Sequence, residues 1–372
     1  MRTKRVLVTG GAGFIGSHTC DYLLKENYDV TILDSLSEKT HYKNEFPSYI
    51  DSRVEKIHGN VLDENLMLSL LRRVDYVIHL AAEMDLNPDF SKFMNVNTRS
   101  TALIYELVVK NKLNIKKVVI ASTQFVYGDG KWKCETHGEF EASGRSIDDL
   151  RNGIWDYKCP KCFKISKPIK NTETFQNPPN HYALSKYFQE MIGIKLGSLY
   201  SIPTTCLRYS IVHGPRQSLK NTYSGALRSF AICLSNNIKI PTYEDNKSLR
   251  DFVSVYDVAR ANVFMLESEE SNFEVYNIGG EECLSVFDLA KIISEKLNTK
   301  LEFNTLQEYR VGDIRHTISS TSKLKSLGFE YASNEYEAIE HYIKWFKTQT
   351  VDIERFKATQ KRIREIGIIK AL

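Results

Sequence analysis

Tyr182 and Lys186 are the residues of this sequence best suited to acid–base chemistry. They open a stretch with helical spacing, Tyr182-Ala-Leu-Ser-Lys186, and residues four apart share one face of a helix. A neighbouring ammonium group lowers the pKa of a phenol, so Tyr182 could act as a base near neutral pH. Thr123, at the end of a predicted strand, could hydrogen-bond the same substrate hydroxyl and share its proton. A Tyr and a Lys at this spacing, taken alone, most often lie on a solvated helix face. The surrounding motifs therefore decide whether the two residues are functional.

A glycine-rich turn near the start of the chain supplies part of that context. The run Thr9-Gly-Gly-Ala-Gly-Phe-Ile-Gly-Ser17 stands between a predicted strand and a predicted helix. Gly10 permits a tight turn, Gly13 removes a side chain where a pyrophosphate must approach the backbone, and Gly16 lets the helix lie close to the strand. The free N–H groups of the helix N-terminus would face the phosphates of a dinucleotide.

Asp34 ends the second predicted strand, residues 29–34, and lies 21 residues beyond Gly13. A carboxylate there can accept hydrogen bonds from both hydroxyls of an adenosine ribose and would repel a 2′-phosphate. The spacing therefore predicts NAD rather than NADP as the dinucleotide. The alternative interpretation is a helix N-cap or a loop aspartate.

The elements that position these residues alternate between strands and helices. Residues 6–9, 29–34, 74–80 and 117–122 are short apolar runs typical of buried strands, and residues 95–112 have helical spacing. This alternation predicts βαβ units and a parallel sheet in the first part of the chain. The polar stretch from Gly128 to about Asn180 lacks a long apolar run and is interpreted as an insertion.

Composition and charge exclude several classes of protein. Of 372 residues, 50 are Lys or Arg and 46 are Asp or Glu, and this excess of four positive charges does not favour nucleic-acid binding. No run of 18 apolar residues occurs, so no membrane span is expected. The first residues do not resemble an export signal. The sequence has seven cysteines, an odd number that cannot all pair in disulfides, so a cytoplasmic protein with reduced thiols is expected.

The insertion carries two pairs of metal-ligating residues. Cys134-Glu-Thr-His137 and Cys159-Pro-Lys-Cys162 have the spacing of zinc knuckles, and three thiolates with one imidazole can close a structural zinc site. A metal would stabilise a polar segment that has little apolar core. The alternative is four unligated groups, and Phe163 stands where many knuckles have glycine. Core positions are expected for Cys20, Cys206, Cys233 and Cys283.

The order of these motifs resembles one known family. The glycine turn, Asp34, the run Ser122-Thr-Gln-Phe-Val-Tyr-Gly128 and the Tyr182/Lys186 pair are similar to those of the extended short-chain dehydrogenases/reductases, which include nucleotide-sugar epimerases and dehydratases. The resemblance extends over nearly the whole chain, to about residue 345. It implies that Tyr182 is the base, that Lys186 tunes it and holds the nicotinamide ribose, and that Thr123 binds the substrate hydroxyl.

The resemblance also implies the cofactor site and the domain organisation. The residues that it places around NAD are Gly10, Gly13, Phe14, Ile15, Gly16, Asp34, Asn60, Val61, Leu80, Ala81, Ala82, Asn97, Ser122, Tyr182 and Lys186. The expected fold class is α/β, with a Rossmann-like doubly wound parallel sheet, a smaller α+β C-terminal substrate lobe and the cysteine-bearing insertion. A homodimer is common in this family.

The expected boundaries follow from that organisation. They are 1–205 for the NAD-binding domain, with the insertion at about 129–178; 206–345 for most of the substrate lobe, with about 251–280 returning to the first domain; and 346–372 for a charged C-terminal helix.

The two residues after Thr123 discriminate between reactions of the family. Dehydratases carry Asp-Glu there and decarboxylases carry Glu at the second position, whereas this chain has Gln124 and Phe125. The resemblance therefore implies epimerisation at carbon 4 of a nucleotide-activated sugar, by oxidation to a keto sugar and re-reduction. A reductase, dehydrogenase or 4,6-dehydratase of the same fold is the alternative. The presence of Thr123, Tyr182 and Lys186 together disfavours a non-catalytic sensor. A role of the insertion in docking another protein remains an open alternative.

Two arginine motifs are similar to the family's diphosphate anchors. Arg250-Asp-Phe252 and Arg310-Val-Gly-Asp313 match them, and Arg315 could add to the site. Surface salt bridges are the alternative for each arginine. Ile211 replaces an asparagine that commonly touches the substrate, and Asn221 is the candidate substitute. A deoxyhexose is the expected sugar and UDP-glucose/UDP-galactose the next candidate.

Overall fold

The computed structural model describes residues 3–41, 44–85, 88–142, 144–219, 225–241, 243–304, 308–310, 313–365, 367 and 369–371. Its strands are β1 Arg5–Thr9, β2 Asp29–Asp34, β3 Glu55–His58, β4 Tyr76–His79, β5 Lys117–Thr123, β6 Lys131–Cys134, β7 Gly138–Glu141, β8 Lys167–Pro168, β9 Thr204–Tyr209, β10 Ile211–His213, β11 Leu249–Ser254, β12 Glu274–Ile278, β13 Cys283–Ser285, β14 Glu308–Arg310 and β15 Ile369–Ala371.

The helices complete the list of elements. They are α1 Phe14–Lys25, α2 Glu64–Leu71, α3 Phe90–Phe93, α4 Ser100–Lys110, α5 Ile147–Arg151, α6 His181–Leu199, α7 Ala226–Ser235, α8 Val255–Glu267, α9 Val286–Leu297, α10 Ser322–Ser326, α11 Glu335–Phe346 and α12 Ile353–Glu365. A π-helical turn, Met94–Arg99, joins α3 to α4, and a 3-10 turn, Gln124–Tyr127, follows β5. Among the described helices, none has both the length and the apolar character needed to cross a membrane.

Seven parallel strands form the central sheet, in the order β12-β9-β5-β4-β1-β2-β3. Val8 of β1 lies opposite Ile32 of β2 on one side and Ile78 of β4 on the other. The direction in which strands are added reverses between β1 and β4, and in open α/β sheets ligands bind at the carboxyl ends of strands at such a reversal. The glycine turn begins directly after β1, so it lies at this crevice.

Apolar cores cover both faces of the central sheet. Val6 and Val8 belong to a core with residues of α1 and α8, among them Leu23, whereas Leu7 belongs to a core on the other face with Ile104 of α4. Successive side chains of a strand point to opposite faces, so a continuous apolar run fits a strand that is buried on both sides. The predicted α/β fold with a doubly wound parallel sheet is confirmed.

A smaller lobe is built mainly from residues that follow β9. β10 pairs in parallel with β11, and β11 pairs antiparallel with β13. Phe252 of β11, Leu289 of α9 and Tyr342 of α11 are buried in an apolar core of this lobe. Between β11 and β13 the chain returns to the central sheet as β12, which pairs with β9.

The insertion folds as a three-stranded antiparallel sheet with β6 between β7 and β8. Trp132 of β6 is fully buried, and its ring centroid lies 5.0 Å from that of Tyr157. Ala142 belongs to the same small cluster. The insertion therefore has a core made of residues that are distant in the chain, which a search for continuous apolar runs does not detect.

The C-terminal segment differs from the predicted helix over 346–372. α11 ends at Phe346 and α12 spans only Ile353–Glu365. Gly367 adopts a φ of +73°, which is typical of the residue that ends a helix. β15 then pairs antiparallel with β14, so that Ile369 lies opposite Arg310. The prediction of one continuous helix is wrong because strand pairing buries Ile369.

Candidate active site

The glycine turn has the geometry of a phosphate-binding loop. Gly10 has a φ of +70°, and a Cβ there would lie 2.8 Å from the backbone N of Ala81. A Cβ on Gly16 would lie 2.2 Å from the carbonyl O of Gly10, so α1 could not approach β1 as closely. Gly13 is the N-cap of α1, and among the described residues no side chain caps this helix and its first turn holds no acid. Phe14 and Ile15, which open the helix, offer N–H groups to a pyrophosphate.

Asp34 lies at the carboxyl end of β2, directly beside this turn. Its Oδ2 accepts a hydrogen bond from the N–H of Ala12 at 3.0 Å, and its Oδ1 accepts one from the N–H of Leu36 at 2.9 Å. The His41 Nε2 lies 3.8 Å from Oδ1. Each carboxylate oxygen retains acceptor capacity, so the residue fits an adenosine ribose as well as holding the turn.

The other predicted cofactor residues follow the neighbouring strands of the sheet. Leu80 donates its N–H to the Thr9 carbonyl at 3.1 Å, and Ala81 donates its N–H to the Thr9 hydroxyl at 3.3 Å, with Ala82 next along the chain. Asn60 and Val61 lie in the loop between β3 and α2, at the same edge of the sheet. The structure thus brings the backbone of these segments to the crevice.

The side chains of two predicted cofactor residues make hydrogen bonds within the chain. The Asn97 amide accepts from the Glu83 N–H at 2.8 Å and donates to the Glu83 carbonyl at 3.1 Å and to the Ser185 hydroxyl at 2.9 Å. The Ser122 hydroxyl donates to a carboxylate oxygen of Glu190. Both side chains are fully buried and brace the segments on either side of the crevice.

Tyr182 lies in the first turn of α6, which starts where the Asn180 side chain accepts the Ala183 N–H at 2.9 Å. Its phenol shares a side-chain hydrogen bond with Thr123. The rings of Phe93 and Phe125 meet the Tyr182 ring edge-to-face, with centroids 6.5 Å and 6.4 Å away. Burial raises the pKa of Tyr182 to about 12, although the Thr123 hydrogen bond lowers it in part.

Lys186 lies one turn further along α6 and is also buried. Its Nζ donates to the Gln189 Oε1 at 2.5 Å. Burial lowers the pKa of Lys186 to about 8, against the opposing effect of the Glu190 carboxylate. The sequence predicts a phenol pKa lowered by the ammonium, whereas the structure raises the Tyr182 pKa above 10. Burial causes this rise, and the Thr123 hydrogen bond offsets only part of it.

A buried ion pair behind the candidate catalytic residues was not foreseen from the sequence. Arg208 of β9 donates from Nη2 to Glu190 of α6 at 2.8 Å, and both side chains are almost completely buried. Its Nη1 donates to the carbonyls of Glu173 and Phe175, and its guanidinium stacks 4.9 Å from the Tyr127 ring. Glu190 follows Lys186 by four residues, which is the signal that could have shown it on the same helix face.

The predicted diphosphate anchors divide into two kinds. Arg250 donates to the carbonyls of Leu249, Ile314 and Arg315 at 2.9–3.0 Å. Arg315 is fully buried in ion pairs with Asp156, Glu244 and Asp245. In this structure both guanidinium groups bind groups of the protein, whereas the resemblance to the family motif implies that Arg250 contacts substrate phosphates.

The Arg310 guanidinium forms no ion pair with the residues that the structure describes. Its ring partner is Tyr243, 5.0 Å away, and both the Arg310 Nε and the Tyr243 hydroxyl are buried without a partner among the described residues. Unsatisfied donors of this kind are costly unless a ligand or water completes them, so Arg310 fits an anionic ligand. Asn221 lies outside the described residues, and Ile211 packs against the core of the smaller lobe.

The predicted zinc ligands come together in the insertion. One ligand atom from each of Cys134, His137, Cys159 and Cys162 lies within 4.8 Å of the others. The Cys134 and Cys162 Sγ atoms are 3.7 Å apart, and the His137 Nδ1 lies 3.7 Å and 3.5 Å from the Sγ atoms of Cys134 and Cys159. A tetrahedral zinc site places two sulfurs about 3.8 Å apart, and a sulfur and a nitrogen about 3.6 Å apart. A disulfide would need an S–S distance of about 2.05 Å.

Two of the three thiols of this cluster are prepared for deprotonation. Hydrogen bonds from the backbone N–H groups of His137 and Thr136 lower the pKa of Cys134. Burial raises the pKa of Cys159, but backbone N–H groups of Cys162 and Lys161 outweigh it and bring the pKa to about 7. A backbone hydrogen bond from Lys164 lowers the pKa of the third, Cys162, but burial and the side chains of Cys134 and Cys159 outweigh it and raise that pKa. Thiolates are the form that binds zinc.

Phe163 adopts the glycine-like backbone conformation of a knuckle in spite of its side chain. Its φ is +58° and its side chain is 72% exposed. A left-handed conformation costs a non-glycine residue roughly 1–2 kcal/mol. The substitution therefore preserves the knuckle at a modest energetic cost.

A glycine turn at the strand-order reversal and a Thr-Tyr-Lys set beside it define an extended short-chain dehydrogenase/reductase. The model of the NAD dependent epimerase/dehydratase family matches residues 6–145 and 160–279, and its interruption falls within the insertion. This chain belongs to that family.

The relatives include named 4-epimerases. A dTDP-L-rhamnose 4-epimerase of Burkholderia thailandensis is 30% identical over 88% of this chain and 90% of its own length. A putative UDP-glucose 4-epimerase of Methanocaldococcus jannaschii is 31% identical over 92% and 98%. The solved UDP-glucuronic acid 4-epimerase of Bacillus cereus in complex with NAD is 25% identical, covers 92% of this chain and 98% of its own, and superposes with a TM-score of 0.73.

Proposed function

We propose that this protein is an NAD-dependent enzyme that inverts carbon 4 of a nucleotide-activated hexose, by transient oxidation to a 4-keto sugar and re-reduction. The observation that carries the proposal is the hydrogen-bonded Thr123–Tyr182 pair with buried Lys186, beside a glycine turn suited to a dinucleotide. Similarity to 4-epimerases supports it. Gln124 and Phe125 offer no acid or base, and Phe125 packs against the Tyr182 ring, which disfavours 4,6-dehydration.

The residues that would hold NAD have distinct tasks. The N–H groups after Gly13 would bind the pyrophosphate, and Asp34 would accept the hydroxyls of the adenosine ribose. Lys186 would bind the nicotinamide ribose from its buried position on α6. NAD, when bound, supplies both the acceptor and the donor of the hydride, and its positively charged ring favours a nearby phenolate.

The chain's own residues would move the proton. Tyr182 Oη takes the proton from the hydroxyl on carbon 4 as the carbon loses its hydride, and returns that proton when the hydride comes back on the opposite face of the sugar. Thr123 Oγ1 bonds the same hydroxyl and keeps it within reach of Oη. Lys186, held at Gln189, provides a positive charge that offsets the burial of the phenolate.

The test is to offer the purified protein a panel of UDP- and dTDP-sugars and to follow the configuration of carbon 4 by NMR. Tyr182→Phe should reduce turnover by at least about 100-fold while the protein retains NAD. Tyr200→Phe, at the exposed end of the same helix, should leave turnover unchanged. Unchanged activity in Tyr182→Phe, or net consumption of NADH with each turnover, would defeat the proposal.

Arg310 is the proposed anchor for the nucleotide diphosphate. Its unpartnered Nε beside the unpartnered Tyr243 hydroxyl supports this role, and a guanidinium binds phosphate through fixed donors and a permanent charge. A deoxyhexose is the proposed sugar, on the strength of the similarity to a dTDP-L-rhamnose 4-epimerase. The same NMR panel compares the turnover of nucleotide-activated deoxyhexoses with that of UDP-glucose.

A structural zinc ion in the insertion is part of the proposal. Four ligand atoms within 4.8 Å of one another support it, and the Cys134–Cys162, Cys134–His137 and Cys159–His137 separations are at tetrahedral edge lengths. Because the protein fills all four positions, the metal would not take part in catalysis. Mass spectrometry of the purified protein should give about one zinc per chain. Cys159→Ser should lose the metal, whereas Cys283→Ser, outside the cluster, should keep it. A Cys159→Ser variant with full zinc content would contradict the site.

A cytoplasmic homodimer completes the proposal. The thiolate ligands need a reducing compartment. Phe188 and Met191 on α6 are 43% and 40% exposed and lie on one side of the helix with exposed Leu199, and such a stripe is typical of a subunit interface. Light scattering should give the mass of two chains, and Met191→Lys should halve it; a monomeric parent protein would contradict this part.

A further inference from the structure

The insertion makes shielded polar contacts with the smaller lobe. Arg145 donates from Nη1 to Glu244 Oε1 at 2.5 Å and from Nη2 to the Asp313 carbonyl at 3.2 Å. The Arg145 and Glu244 side chains are only 10% and 6% exposed, so this ion pair is largely shielded from water. A shielded pair is costly to break because the remaining charge is left buried.

A second contact lies beside the first. Asp156 accepts from the Arg315 Nε at 2.8 Å and lies 3.2 Å from the His316 Nε2. The Trp132 ring, at the centre of the insertion, packs 5.3 Å from the His316 ring. The Asp129 carboxylate accepts the Arg315 N–H at 3.3 Å.

These contacts end at the residues that support Arg310. Glu244, the partner of Arg145, donates its N–H to the Glu308 carbonyl at 2.9 Å, and Glu308 lies on the same short strand as Arg310. Tyr243, next to Glu244 in the chain, stacks against the Arg310 guanidinium. When Glu244 is held in place, both β14, which carries Arg310, and the Tyr243 ring, which stacks on its guanidinium, are held in place as well.

We propose that the insertion is a positioning element for substrate binding: through Arg145 and Glu244 it holds Arg310 and Tyr243 where the diphosphate of the nucleotide sugar binds. This inference rests on the proposed assignment of Arg310 to the diphosphate. NAD binding does not depend on the insertion in this scheme, because the glycine turn and Asp34 belong to the central sheet.

The experiment compares two arginines of the insertion in the full-length enzyme. Arg145→Met should raise the Kd for UDP or dTDP and the KM for the nucleotide sugar about tenfold, since small displacements of binding groups are costly. The Kd for NAD, kcat and the zinc content should stay within about twofold. Arg151→Met is the matched control, because Arg151 is exposed on α5, and all five quantities should be unchanged.

Two results would overturn the inference. One is an unchanged Kd for the nucleoside diphosphate in Arg145→Met, and the other is an equal rise in the Kd for NAD, which would indicate general loosening. If Arg145→Met fails to fold, Asp156→Asn tests the second contact at nearly constant volume with the same readouts. Weaker diphosphate binding in a protein that epimerises no sugar would support this inference and refute the proposed reaction, so the two failures are distinguishable.

Discussion

Replacing Lys186 by methionine should make the protein more stable near neutral pH while it abolishes turnover. Burial lowers the pKa of Lys186 from 10.5 to about 8, and a difference of one pKa unit corresponds to 1.36 kcal/mol. The buried charge therefore costs about 3 kcal/mol at pH 7. Methionine removes that cost but also removes the hydrogen bond to Gln189, which contributes about 1 kcal/mol. The expected net gain is about 2 kcal/mol.

The gain should depend on pH in a defined direction. Below pH 8 both the folded and the unfolded chain carry the Lys186 proton, so the full cost is present. Between about pH 8 and 10.5 the folded chain loses the proton first, and the stability of the parent protein relative to the methionine variant rises with pH. At pH 10 the advantage of the variant should fall to about zero.

Urea unfolding of NAD-free protein at pH 7 and pH 10 measures both values. Lys195→Met, on the exposed side of the same helix, is the control and should change neither. The kcat of Lys186→Met should fall by at least about 100-fold. A variant that is no more stable than the parent at pH 7, or that gains equally at both pH values, would refute the argument that burial sets the lysine's pKa.

Three further substitutions test other parts of the site. Asp34→Ala should raise the Kd for NAD roughly tenfold and reduce the ratio by which the protein binds NAD more tightly than NADP. Fluorescence titration with each dinucleotide measures both Kd values; an unchanged ratio of the Kd for NADP to the Kd for NAD would contradict the assigned role. Gly16→Ala puts a Cβ 2.2 Å from the Gly10 carbonyl, so the purified protein should retain less NAD and melt at a lower temperature. Arg208→Met should lower the unfolding free energy by about 3–5 kcal/mol, because it leaves the Glu190 carboxylate buried without its partner. Adding Glu190→Leu should recover much of that loss; a double variant as unstable as Arg208→Met alone would contradict this explanation.

The proximity of the candidate catalytic residues was predictable because local spacing determines it. Tyr182 and Lys186 meet through the period of one helix, and Thr123 follows a strand whose carboxyl end must lie at the sheet edge. The glycine turn is similarly confined to one strand–turn–helix unit. Patterns within a few residues therefore predicted these positions, and the parallel sheet that they require is confirmed.

The partners of buried charges were not predictable in this way. Arg315 matches no local signal for its ion pairs, because Asp156 and Asp245 reach it from distant segments. Ser122 and Asn97 likewise bind groups far away in sequence. The direction of the Tyr182 pKa depends on how completely tertiary packing removes water, and that is decided by rings such as Phe93 from another helix.

The order in which the central sheet is completed has a consequence for synthesis of the chain. β9 is finished at Tyr209, but the strand that covers its outer edge, β12, begins only at Glu274. A growing or truncated chain that ends between them exposes unpaired backbone groups along β9, and such an edge promotes aggregation. The N-terminal half is therefore not a separable expression unit: a soluble cofactor-binding fragment must either include the residues of the smaller lobe or be rejoined so that β12 follows β9 directly.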